Sequence, residues 1–182
     1  MKKLFVIFIS LIVMSSCTTT KEAGSSRAEV RKEKKLLDQA LVKNAVESKR
    51  YIIKFERIYF SYGGIIQLMP RANYLIVDRE KAILNTAYMG RQYDIMGIAA
   101  INLRGKANDY ALTDNVNKGS YDVKLKVSNG RSATFDVYVR ISKNGYCSIS
   151  VSSLKIENVN YSGYLVPILD KTNALQPQGD MI

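Results

Sequence analysis

The sequence predicts an α+β fold: an N-terminal helix followed by a mostly antiparallel meander sheet, curved or closing towards a barrel. Three observations predict it. Residues from Ser26 to Ser48 place apolar side chains at near-helical spacing. From Lys49 onward, runs of Tyr, Ile and Val alternate with polar residues. Gly, Asn and Asp punctuate these runs about every ten residues, as in antiparallel sheets and barrels. Finally, Asn129-Gly130 and Asn144-Gly145 each separate two alternating segments, and Asn-Gly is the strongest two-residue hairpin signal.

The first residues do not belong to that fold. MKKLFVIFISLIVMSSC, Met1 to Cys17, opens with two lysines, continues through an apolar stretch and closes on small residues. This is the pattern of an export signal rather than a spanning helix. A cysteine directly after the small residues resembles the lipobox of bacterial lipoproteins, in which that cysteine is acylated. The resemblance implies a signal peptide over residues 1–16 and a lipid anchor on Cys17. Residues 17–26, with TTTKEAGSS after the cysteine, are polar and read as a flexible tether. No aspartate follows Cys17 directly. By the same resemblance, the expected place is the outer membrane, facing the periplasm.

One domain is expected over 27–169. Ser26 and Glu29 have capping-box spacing at the helix start. Val30, Leu37, Leu41 and Ala45 form the stripe expected to pack on the sheet, with a partner-binding helix as the sharper alternative. In the sheet, Tyr51, Ile53, Phe55 and Tyr59 share a segment, and Ser61 to Gly64 turns the chain. Ile65 to Met69, Tyr74 to Val77 and Lys81 to Tyr88 read as strands. Ile98 to Leu103 follows, then a turn over Arg104 to Asn108 and a short strand at Tyr110 to Thr113. Tyr121 to Val127, Phe135 to Ile141 and Cys147 to Val151 alternate most cleanly. A bulge near Ser152-Ser153 would let Leu154 and Ile156 continue the apolar face. Residues 170–182 read as a frayed tail.

Composition narrows the chemistry. The 182 residues contain 27 Lys and Arg, 16 Asp and Glu, and no His. The basic residues are scattered apart from Arg31 to Lys35, and export disfavours nucleic acid as a partner. Without histidine, the usual Ser-His-Asp and Cys-His hydrolytic sets are absent. The glycines show neither phosphate-loop nor dinucleotide spacing. No cofactor and no metal are expected, and no catalytic residue is assigned. Cys147 shares a strand face with Ile149 and Val151, so its thiol should point into the core. The 12 tyrosines are the remaining resource. Tyr88, Tyr93, Tyr110, Tyr161 and Tyr164 fall near strand ends or irregular segments. Tyrosine joins apolar area to a hydroxyl, so Tyr88, Tyr93 and Tyr164 are the candidates to line a ligand site.

Several segments carry a family resemblance: Asn73 to Asp78 (NYLIVD), Ala87 to Arg91 (AYMGR), Lys118-Gly119, Asn144-Gly145-Tyr146, Ser150 to Ser153 and Tyr161-Ser162-Gly163. Together with the lipobox-like start, they resemble exported lipoproteins of Bacteroidota-type bacteria that carry a domain of unknown function catalogued as forty-two fifty-one. The resemblance covers Leu37 to Leu165 and implies a compact antiparallel domain without supplying an activity. The expected function is a membrane-anchored envelope lipoprotein with a non-catalytic binding or accessory role. Its partners would be the membrane, through Cys17, and an envelope protein or glycan. The alternative is a carrier of a small apolar or glycan ligand in a barrel mouth lined by Tyr88, Tyr93 and Tyr164. A hydrolase of uncommon type ranks last.

Overall fold

A computed structural model describes residues 22–60, 63–88, 99–130 and 133–169. The segment 1–16 expected to be a signal, Cys17, Gly90, Tyr93 and the expected tail 170–182 lie outside these residues. Helix α1 spans Glu22–Glu47. Nine strands follow: β1 Arg50–Tyr59, β2 Ile65–Gln67, β3 Tyr74–Asp78, β4 Lys81–Tyr88, β5 Ala99–Asn115, β6 Ser120–Ser128, β7 Thr134–Ser142, β8 Tyr146–Ser153 and β9 Ile156–Pro167.

All pairings are antiparallel, and β9 returns to pair with β1, which closes the sheet. β2 and β3 both pair with β1, at Arg57↔Gln67 and Lys54↔Tyr74. They are two pieces of one returning strand, so the barrel wall counts eight strands. The break between them, Leu68 to Asn73, contains Pro70, which has no N–H to give to a ladder. Asn73 pins the break. Its Nδ2 donates to Met69 O at 2.9 Å, and its Oδ1 accepts from Ala87 N at 2.7 Å and Thr86 Oγ1 at 3.3 Å.

The wall alternates inward and outward residues, and the inward set forms one core. Tyr51, Phe55, Tyr88 and Tyr161 are fully buried in it with Leu75, Leu84, Ile141 and Ile149. An eight-stranded barrel is just wide enough for side chains to fill it. Phe55 and Tyr161 stack at 5.0 Å between ring centroids. Each buried tyrosine hydroxyl needs a partner. Tyr161 donates to Ala87 O at 3.0 Å, and Tyr51 donates to Tyr110 OH at 3.4 Å.

Closure demands glycine at the seam. A Cβ on Gly163 of β9 would lie 2.0 Å from Lys54 O of β1, next to the register shift between Phe55 and Arg57. The two backbones therefore approach closely at Gly163. Gly105 plays the same part in β5, where a Cβ would lie 2.1 Å from Ser128 O.

Four local expectations change. The helix begins at Glu22 rather than Ser26, so part of the expected tether is helical. Once downstream turns exist, extending a helix through Gly24 and Ser25 costs only about 1 kcal/mol. The buried helix residues are Val42, Ala45 and Val46, whereas Val30 and Leu37 are exposed and Leu41 is largely so. Only the end of α1 docks on the core, so the i, i+3, i+4 set of its last turns is the one used; burying a valine contributes about 1.5–3 kcal/mol. Arg104 to Asn108 is not a turn, because β5 runs through it and bends at Gly105 and at the bulge between Asn108 and Ala111. Lastly, β8 and β9 form a hairpin. The register does shift at Ser152, but Leu154 sits at the turn and is 99% exposed, while Ile156 is buried.

Gly163→Ala should destabilise the fold by more than about 2 kcal/mol, since backbone must move to admit the methyl group. Gly130→Ala, with open space around it but a φ of +74°, should cost only about 1 kcal/mol. Urea denaturation of both variants checks the contrast. Asn73→Ala should cost about 1–3 kcal/mol in the same measurement, because it leaves buried backbone groups without their partner.

Candidate functional site

An open cleft of about 780 Å³ lies at the corner of the barrel where β5 leaves β4 and takes up β6. Its size lies within the range usual for small-ligand sites. β5 has 17 residues and can pair with β4 up to Lys106 and with β6 from Lys106 onward. That diagonal course brings the start of β1, the β3–β4 turn and the β6–β7 hairpin around one hollow. Lys49, Glu80, Lys106, Asp109, Tyr110 and Lys126 line it, with Asn108, Ser128 and Thr134 also on its walls.

Backbone geometry places these side chains. Among the described residues, the non-glycine positions with positive φ are Lys49 (56°), Arg79 (58°) and Asp109 (52°). Each such conformation costs about 1–2 kcal/mol. Lys49 and Asp109 line the cleft, and Arg79 directly precedes Glu80 in its wall. Lys49 turns the chain out of α1 into β1, with its N–H on Val46 O at 3.3 Å and its carbonyl accepting from Arg79 N at 2.8 Å. Asp109 sits in the β5 bulge.

The side-chain chemistry is mixed. Lys126 Nζ lies 2.8 Å from Asp109 Oδ2. Lys49 Nζ lies 4.9 Å from the centre of the Tyr110 ring. Tyr110 OH donates to Val46 O at 2.9 Å, which ties the cleft to the end of the helix, and burial pushes its pKa up. Thr134 Oγ1 donates to Ser128 Oγ at 3.1 Å. Among the described residues Lys106 and Glu80 make no ion pair. The arrangement offers ammonium donors, hydroxyls and one aromatic ring. Among the described residues, no group of three or more His, Cys, Asp or Glu could hold a metal ion.

The tyrosines singled out from sequence do not meet at a mouth. Tyr88 is fully buried in the core. Tyr164 is 46% exposed on the outer face of β9, in edge contact with Tyr146 at 5.3 Å. The two therefore lie on opposite sides of the wall, because Tyr88 shares the inward parity of Leu84 while Tyr164 follows an inward Gly163. Tyr93 lies outside the described residues. Tyr110, also noted near a strand end, is the one that reaches the cleft. The lysines carried no motif. Of the three, Lys49 alone has a positive φ, and a lysine does not announce that conformation. Away from the cleft, Asp122 is held on the outer wall. Arg140 Nε donates to it at 2.8 Å and Asn115 Nδ2 at 2.6 Å, and the neighbouring guanidinium lowers its pKa.

Cys147 is buried as expected, with Sγ donating to Gly145 O at 3.3 Å. Burial pushes its thiol from the ordinary 9.0 up to about 12. A group whose folded pKa is raised keeps its proton more tightly when folded. Its contribution is full below the unfolded pKa and is lost as pH rises towards the folded one. Stability should thus decline between about pH 9 and about pH 12. Burial pushes Tyr51 and Tyr161 the same way. Denaturation midpoints taken across that range should fall less steeply for Cys147→Ala than for the unaltered chain; parallel curves would show the thiol has no part.

Residues 33–165 match a family described as a domain of unknown function, DUF4251. A crystal structure of a DUF4251 family protein from Bacteroides eggerthii DSM 20697 is similar to this chain, with a TM-score of 0.62 at 12% sequence identity, over 76% of this chain and 92% of that one. At that identity the likeness concerns the fold alone. No curated protein matches the chain. The family match spans the end of α1 and the strands through Leu165, the same residues that build the closed barrel, and the chain belongs to the DUF4251 family.

Proposed function

We propose that the protein is a lipid-anchored lipoprotein of the cell envelope, placed at the outer membrane facing the periplasm, whose barrel serves as a non-catalytic binding module. One observation carries the anchoring: the charged, apolar and small-residue succession that ends at Cys17. Among the described residues no helix is long and apolar enough to cross a membrane. The anchor assigned here is the acyl group on Cys17. A single acyl chain binds membranes only marginally, so stable attachment takes more than one chain or added basic contacts. Arg31 to Lys35 offers such contacts to anionic head groups.

The binding role is supported by the filled core. Tyr51, Phe55, Tyr88 and Tyr161 occupy the interior, so recognition falls on the surface. That favours an envelope protein or glycan as partner over a small molecule carried inside, and the Tyr-lined mouth is not retained. The absence of histidine from the sequence supports a role without hydrolytic chemistry of the usual kinds.

Growing cells with a radioactive fatty acid should label the unaltered protein, and the protein should sediment with membranes. Cys17→Ala should lose the label and leave the membrane fraction. A Cys17→Ala variant that still took up label would sink the proposal.

A further inference from the structure

The corner cleft has a composition that selects among ligands, and we propose that it is a binding site for a carboxylated sugar, a ring carrying a uronate-type acid group. This deepens the surface-binding reading above and rests on it. Three ammonium groups, Lys49, Lys106 and Lys126, face two carboxylates, Glu80 and Asp109, so the lining carries one net positive charge. Asp109 is already engaged by Lys126 at 2.8 Å. Lys49 and Lys106 are exposed, and among the described residues neither makes an ion pair. They are the donors left to meet an incoming anion. A lining with one surplus charge suits a singly charged carboxylate better than a phosphate dianion.

The remaining walls suit a sugar ring. Ser128, Thr134 and Asn108 supply groups that exchange hydrogen bonds with hydroxyls. Tyr110 supplies a half-buried aromatic ring, fixed by its bond to Val46 O at 2.9 Å. The volume of about 780 Å³ accommodates one or two rings. The site is also held in shape before any ligand arrives. Lys49 and Asp109 sit at φ of 56° and 52°, and Arg79 N on Lys49 O ties the β3–β4 turn to the start of β1. A preformed wall reduces the ordering cost of binding.

The test titrates the full chain in detergent micelles with galacturonate, which carries one carboxylate, with the uncharged galactose and with inorganic phosphate, by calorimetry. Galacturonate should bind at least about tenfold more tightly than galactose, and its affinity should fall as salt is raised. Lys106→Ala and Lys49→Ala should each weaken it about three- to tenfold, whereas Glu80→Gln, which removes an opposing charge, should strengthen it. All three positions are exposed, so melting temperatures should stay within a few degrees of the unaltered chain. Equal binding of the two sugars, binding of neither, or phosphate binding as tightly as the sugar acid overturns the proposal. So does an unchanged affinity in both lysine variants. Because the assay needs no membrane, its failure is separate from a failure of Cys17 labelling.

Discussion

The seam between β1 and β9 is the constraint on which the rest of this structure depends. At Gly163 the two backbones approach so closely that no side chain fits between them. The ladder absorbs the approach in a register shift at Phe55 and Arg57. With that seam made, the sheet has no long open edge, the usual route by which strands aggregate. The number of wall strands then sets the bore, and the bore is filled by the stacked Phe55 and Tyr161 and by Tyr51 and Tyr88. Closure therefore decides a functional matter as well. A barrel this narrow is filled by its own side chains, and the binding role proposed for it falls to its surface.

The same geometry makes the corner. A closed barrel needs a staggered register, and here much of the stagger falls on the long β5. Gly105 lets Ser128 of β6 press against it, and the bulge at Asp109 turns Tyr110 towards the end of α1. Lys49, Arg79 and Asp109 each take a left-handed conformation where the chain changes direction or slips register. Their convergence on one hollow follows from the topology. The charges that collect there are what distinguish this hollow from an ordinary dent in a sheet.

Much of the wall was legible in the residues. β6, β7 and β8 show strict alternation, and Gly130 and Gly145 take a positive φ in the connections between them; the pairs next to those connections are Ser128↔Thr134 and Ile141↔Cys147, so both are longer than the two-residue turns that Asn-Gly predicts. The inward thiol of Cys147 followed from the same period. β9 was illegible because outward Asn158, Asn160 and Ser162 combine with an inward glycine, which removes the apolar signal at the residue that matters most. β5 was divided in two because Arg-Gly-Lys-Ala-Asn has the composition of a turn. The helix misled for another reason. Its leucines made the more obvious stripe, yet only the residues near its end have a core to meet.

By itself, the sequence determined the α+β class, the hairpins and the segments that resemble the family, and it holds the lysine-led apolar start from which the anchoring is proposed. All of these are local: a charge and apolar succession, a period of two, or a turn that wants asparagine and glycine. The tertiary structure decided the rest. Closure pairs β1 with β9, which lie about a hundred residues apart along the chain, and no local period encodes a partner at that distance. The cleft draws Lys49, Lys106 and Lys126 from three separate segments, so its charge exists only once the barrel has brought them together. Tyrosine shows the division most plainly. Its abundance was visible from the start, but only the direction in which each strand faces made Tyr88 a core residue, Tyr164 an outer one and Tyr110 the wall of a site.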